Sequence, residues 1–421
     1  MDRQQHARLD ELMRDPYPLY ERARRAVGLT YVPEMRAWLV ARDADVREVL
    51  RRPDVFSSAN AVRGDVVPSP AALAVLAASG AGDGGRTRVV VTSDGPAHQR
   101  LRAPITRGLG AARVAAAVAY AEGRAEELVE AFAGEGRAEL MGAYALRLPG
   151  QVVGYVLGFD PADVPLVVRG GQSTMQLLFR PLGEEEQVAA ARDIVALRRL
   201  LDGYVRDRHA EPRDDLCSEI VGSLVPEDGE EGAAVGETGV LTLAQRAELV
   251  SHLNNFLLAG HLTTTALIGT TFLHLLRHPD QWRLVCEEPE RIPAAIEETA
   301  RYDTALQGFR RVTTRAVTFA GTELPAGAEL LVGFGAAGRD DARHPRPDVF
   351  DITRRTAARH VAFGLGAHAC PGAQLAREQV RLTLELFARR FPGLRLDGDR
   401  PPVTMRPTLI HRAPEALHVR W

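Results

Sequence analysis

Phe363-Gly-Leu-Gly-Ala-His-Ala-Cys370-Pro-Gly372 is the most informative stretch of this chain. It holds one cysteine among three glycines and runs into a helix-like segment, Ala373 to Phe387. A thiolate placed just before a helix gains from the free backbone N–H groups and the positive end of the helix dipole. Glycines at 364, 366 and 372 admit backbone angles closed to other residues, and let the chain lie close against a flat partner. The stretch therefore reads as a sulfur ligand presented to a planar group. The plainer alternative is a buried cysteine acting as a small hydrophobe.

Around this motif the composition is that of a folded globular protein: 421 residues, 45% hydrophobic and 25% charged. A net charge of -3 gives no global attraction to nucleic acid or to an anionic membrane. Cys217, Cys286 and Cys370 are too few and too scattered for a disulfide framework or a zinc site, which fits a reducing cytoplasm. The N-terminal stretch is charged and lacks the apolar core of a signal peptide or anchor. All 52 basic residues are arginine.

Helical spacing of apolar residues covers Ala111–Phe132, Val188–Arg208, Leu243–Leu276 and Gln374–Arg390. Strand-like runs are short: Leu29–Tyr31, Ala37–Val40, Ala316–Phe319, Glu329–Val332 and Leu417–Val419. The expected fold is mainly α, one large helical domain over 1–421 with small peripheral sheets. Residues 59–92 and 226–239 read as irregular, the second as an acidic solvated loop. A long helix over 242–276 carries Ala259-Gly260-His261-Leu262-Thr263 near its middle, where an interior glycine asks for a reason.

The run 363–372 resembles the haem-binding signature of the cytochrome P450 family, and the chain is similar to soluble bacterial, actinobacterial-type members from about residue 15 to its end. The resemblance implies a P450 fold around a buried haem b, with Cys370 as the iron ligand and Phe363, Gly364, His368 and Gly372 in its loop. It implies that His98, Arg102, Arg311 and His368 meet the haem propionates, with Arg310 facing substrate or surface. Glu298 and Arg301 match the family's Glu-x-x-Arg pair, a structural lock. The blocks after it match too, with Gly338 where Asn is usual.

Ala259, Gly260 and Thr263 match the distal motif that leaves room for dioxygen and positions a hydroxyl for proton delivery. Leu262 stands where the family usually carries an acid. His261, a substrate group, another water route or a less demanding reaction remain as explanations. By family position the substrate is lined by the 59–92 loop, Met175, Phe179, Asn255, Leu258, Ala259, Leu306, Gln307, Phe309, Leu409 and Ile410, with Asn255 and His252 on one face of the long helix.

The expected activity is insertion of one oxygen atom of O2 into a small or medium-sized molecule, in secondary-metabolite biosynthesis. Alternatives are a non-hydroxylating oxidation (aryl coupling, desaturation, nitration or peroxide-driven chemistry), kept open by Leu262, and a catalytically silent haem sensor or carrier. The chain has no Gly-x-Gly-x-x-Gly fingerprint, so electrons are expected from a separate ferredoxin and its NAD(P)H-dependent reductase. Arg100, Arg107, Arg354, Arg355 and Arg359 are candidates for a basic docking face. The protein is expected to be a cytoplasmic monomer without nucleic-acid or membrane partners.

Overall fold

A computed structural model describes residues 3–78, 87–224 and 240–421. Within these the chain divides into two compact units. One comprises residues 1–62, 118–149 and 262–421, the other 63–117 and 150–261.

The first unit holds the ten strands of the described residues: β1 (Thr30–Val32), β2 (Ala37–Val40), β3 (Phe56–Ser57), β4 (Arg137–Glu139), β5 (Gly308–Thr313), β6 (Val317–Phe319), β7 (Thr322–Leu324), β8 (Glu329–Gly333), β9 (Arg395–Leu396) and β10 (His418–Arg420). Five of them form one sheet in the order β1-β2-β8-β5-β3, parallel only where β2 meets β8. Alternate residues of β2 turn Ala37 and Leu39 into a core with Met13, Tyr20, Leu331 and Ala336. The helix Ala373–Arg390 packs against Ile292–Tyr302, and its Phe387 lies edge-on to Tyr144 and close to Phe272. The expected strands reappear within a residue or two.

The second unit is helical. Its hub is the 27-residue helix Glu184–Ala210, packed against Val164–Phe179 and Pro70–Ala78. The last of these corrects the reading of 59–92 as irregular throughout. Pro70 opens the helix at a position that needs no N–H, and Ala72 seals it onto Leu177, Ala190, Ala191 and Ile194. Residues 79–86 of that stretch and the acidic run 226–239 lie outside the described residues.

The long helix spans Leu243–Arg277. It is apolar and long enough to cross a membrane, yet 72% of its most apolar window is buried in the protein, which is the pattern of a core helix. Gly260 has a packing reason: a Cβ there would stand 2.7 Å from Val153 Cγ2, so the glycine lets the helix Arg147–Leu157 approach.

Candidate haem-thiolate site

The cysteine loop closes on itself. Gly364 and Gly366 take φ of +73° and +70°, which side chains resist, and the Cys370 N–H donates to the Phe363 carbonyl at 2.8 Å. Cys370 is left exposed two residues before Gly372, which caps the helix Ala373–Arg390. The other cysteines have the opposite setting. Burial, reinforced by Asp215, pushes the Cys217 thiol up to about 12, and burial with Glu287 pushes Cys286 up to about 11. Among the described cysteines only Cys370 joins exposure to a helix N-terminus.

Phe363 is held from behind. The Arg377 guanidinium lies 4.1 Å from its ring centroid and pairs with Glu297 through Nε at 2.5 Å and Nη2 at 3.1 Å. His360 Nε2 reaches the same carboxylate at 3.2 Å. Burial alone would raise the Glu297 carboxyl, but the neighbouring His360 and the hydrogen-bonded Arg377 outweigh it and hold the group at about 2.

β3 runs beside β5, which sets Ser58 and Asn60 near Arg311. His368 Nε2 lies 3.0 Å from the buried Ser58 hydroxyl, and Asn60 donates to the Arg311 carbonyl at 3.3 Å. Arg311 is itself buried, with Nη1 donating to the Arg310 carbonyl. Arg310 does not face solvent, because it is buried and bonds the Met35 carbonyl and Glu329. Ser58 gave no sequence signal and Asn60 only as part of the 59–92 loop; the β3–β5 register brings both beside Arg311. In the other unit His98 is buried on the helix Gly95–Gly108, one turn before half-buried Arg102. Burial, then the Arg102 charge, lowers its pKa.

The long helix has an accessible window in an otherwise buried span. Ala259 is exposed, and Asn255, Phe256, Gly260 and Thr263 are half-buried. Buried His252 closes one end and buried Ala266 and Leu267 the other. At the ~1.5 Å helical rise the opening from 255 to 263 is about 12 Å long. His261 lies outside it: two residues from both Ala259 and Thr263 it is turned by roughly 200°. Fully buried, it sits beside Gly150 and Gly171. His261 therefore does not line the window. Leu262 is buried too.

Leu258 lies against Gly171, and Met175, one turn on, shares that helix face; Phe179 is buried near the helix end. In the first unit the Gln307 N–H donates to the Leu409 carbonyl and the Arg412 N–H to Ala305, drawing Leu306 and Ile410 onto neighbouring segments. Phe309 is half-buried, edge-on to Phe334. Gln307 does not fit the lining: it is 1% exposed, and its amide donates to the Thr304 carbonyl at 2.7 Å and to Tyr17 Oη at 3.4 Å.

Glu298 and Arg301 are both fully buried and form a two-pronged pair at 2.7 and 2.8 Å. Arg301 also donates to the carbonyls of Gly338, Pro347 and Val349. A Cβ at 338 would collide with the Arg301 carbonyl oxygen, which accounts for glycine there. Arg354 is part of this cluster, with Nε 3.1 Å from Glu298 Oε1, so it is withdrawn from any docking face. Arg107 is engaged by Glu219 and Ser223.

These parts suit a haem. An exposed cysteine sulfur at a helix start supplies a thiolate ligand, and in the same unit buried Arg311 with His368 are donors of the kind a carboxylate requires. Comparison with known proteins agrees. The sequence profile of the cytochrome P450 family matches residues 234–419. Cytochrome P450 144 of Mycobacterium tuberculosis is 34% identical over 388 residues, 90% of this chain and 83% of that protein. The vitamin D(3) 25-hydroxylase of Pseudonocardia autotrophica is 33% identical over 389 residues, 89% of this chain and 86% of its own. Among solved structures, cytochrome P450 CREJ in complex with (4-ethylphenyl) dihydrogen phosphate superposes with a TM-score of 0.85 at 28% identity, covering 97% of this chain and 98% of that one. The chain belongs to the cytochrome P450 family: it is a haem-thiolate monooxygenase of the mainly helical P450 fold.

Proposed function

We propose that this monooxygenase hydroxylates a medium-sized, partly polar organic molecule in a biosynthetic tailoring step, with Cys370 as the iron ligand. The observation that carries the reading is the Cys370 loop, where the Phe363 carbonyl fixes the backbone and the helix start favours a thiolate. Bound haem iron supplies activation of dioxygen; the protein supplies ligation, orientation and protons.

In this reading Arg311, His368, His98 and Arg102 neutralise the propionates. Ala259 and Gly260 keep the window clear, and the Thr263 hydroxyl orients the water that passes a proton onward. Leu258, Met175, Phe179, Leu306, Phe309 and Ile410 supply an apolar lining, while the Asn255 amide selects a substrate with a hydroxyl or carbonyl. Electrons come from a cytoplasmic ferredoxin and its NAD(P)H-dependent reductase, for which exposed Arg100, Arg355 and Arg359 remain the docking candidates.

The test is turnover under isotopically labelled dioxygen, with ferredoxin, reductase and compounds first selected by Soret shift. One labelled atom in the product is expected. Compounds that shift the Soret band yet give no product with any electron donor would instead identify a carrier.

A further inference from the structure

Glu248, His252, Asn255 and Ala259 follow one another at four, three and four residues along the long helix, a single stripe about 60° wide. Their accessibility changes in a definite order. The Glu248 side chain is 48% exposed, His252 is buried, Asn255 is half-buried, and Ala259 opens into the window. His252 Nε2 stands 3.6 Å from Glu248 Oε1 and makes no hydrogen bond among the described residues. Three hydroxyls of this helix are satisfied by its own carbonyls: Ser251 by Ala247 at 2.9 Å, Thr270 by Ala266 at 3.0 Å and Thr271 by Leu267 at 2.7 Å. A buried ring nitrogen left without a hydrogen bond costs folding free energy that an apolar side chain would not.

We infer that Glu248 and His252 form a proton entry path that replaces the acid missing at position 262. The inference rests on the haem-thiolate reading of the site. Protonated Glu248 gives its proton to His252 Nε2, and the imidazolium releases its Nδ1 proton toward the window through water held by Asn255. Solvent then reprotonates Glu248, and the ring returns to its starting tautomer. The net change is one proton moved from solvent to the window, with no electron transferred. His252 and Glu248 are positioning residues, since they act through Asn255 and water.

The experiment compares wild-type holoenzyme with His252→Phe and with Glu248→Gln, a surface change that spares the core. Product per electron pair is expected to fall about tenfold in each, below the usual span for loss of acid catalysis, with hydrogen peroxide making up the difference and KM unchanged. Leu262→Glu in the His252→Phe background is expected to restore coupling, which a merely structural histidine would not allow. In nitrogen-15 NMR of the protein the His252 ring signals should move in Glu248→Gln. Unchanged coupling in both variants, or no rescue by Leu262→Glu, overturns the path. Loss of the thiolate-type reduced-CO band in the wild type would instead overturn the underlying reading of the site.

Discussion

At the scale of single residues, the setting of a side chain decides its chemistry more than its type does. Three cysteines share a sequence, yet burial keeps Cys217 and Cys286 as thiols while a closed loop presents Cys370. His344 shows the same rule for a base. It is fully buried beside Arg301 and Arg354, and burial first, then those charges, lowers its pKa to about 3. The folded protein therefore keeps His344 neutral, whereas an unfolded histidine takes a proton below about pH 6.5. Stability is complete above that value and falls with pH down to about 3, by at most ~1.4 kcal/mol per pH unit. His344→Phe is expected to recover about 1–2 kcal/mol of the stability lost between about pH 7 and about pH 5, read from urea midpoints. Equal losses in both proteins would contradict this account.

Among the elements, the segment before the cysteine depends on Glu298 and Arg301. A buried pair costs a great deal to break from one side, because the remaining charge is desolvated without compensation. Arg301→Leu is expected to destabilise the fold by about 3–5 kcal/mol, while Glu298→Leu with Arg301→Leu loses less. Urea titration of the single and double variants checks it. The three-residue spacing made this pair legible, but Arg354 looked like a surface arginine because its partner lies far along the chain. The long helix and the cysteine helix were legible from apolar periodicity. The Pro70–Ala78 helix was not, since its Ala-rich, Gly-flanked sequence has no amphipathic stripe and gains its core contact from Glu184–Ala210 and from Leu177.

For the whole molecule, an ordered series of short motifs was enough to identify the fold, and the relatives agree with it over nine-tenths of the chain. The division into two compact units was not legible, because each is assembled from segments distant in sequence. The same holds for the buried knot in which Asp303 meets His274, Arg412 and Tyr17, tying the C-terminal segment to an N-terminal helix. Burial would raise the Asp303 carboxyl, but Arg412 and the hydrogen bond with His274 hold it far below the usual range. Both features come from contacts that no local pattern encodes. The central claim is that Cys370 binds haem iron as a thiolate. Its most direct test is the reduced-CO difference spectrum of the purified protein beside Cys370→Ser. A thiolate-type Soret band in the wild type, absent from Cys370→Ser, is the predicted result; the same band in both proteins, or in neither, would contradict it.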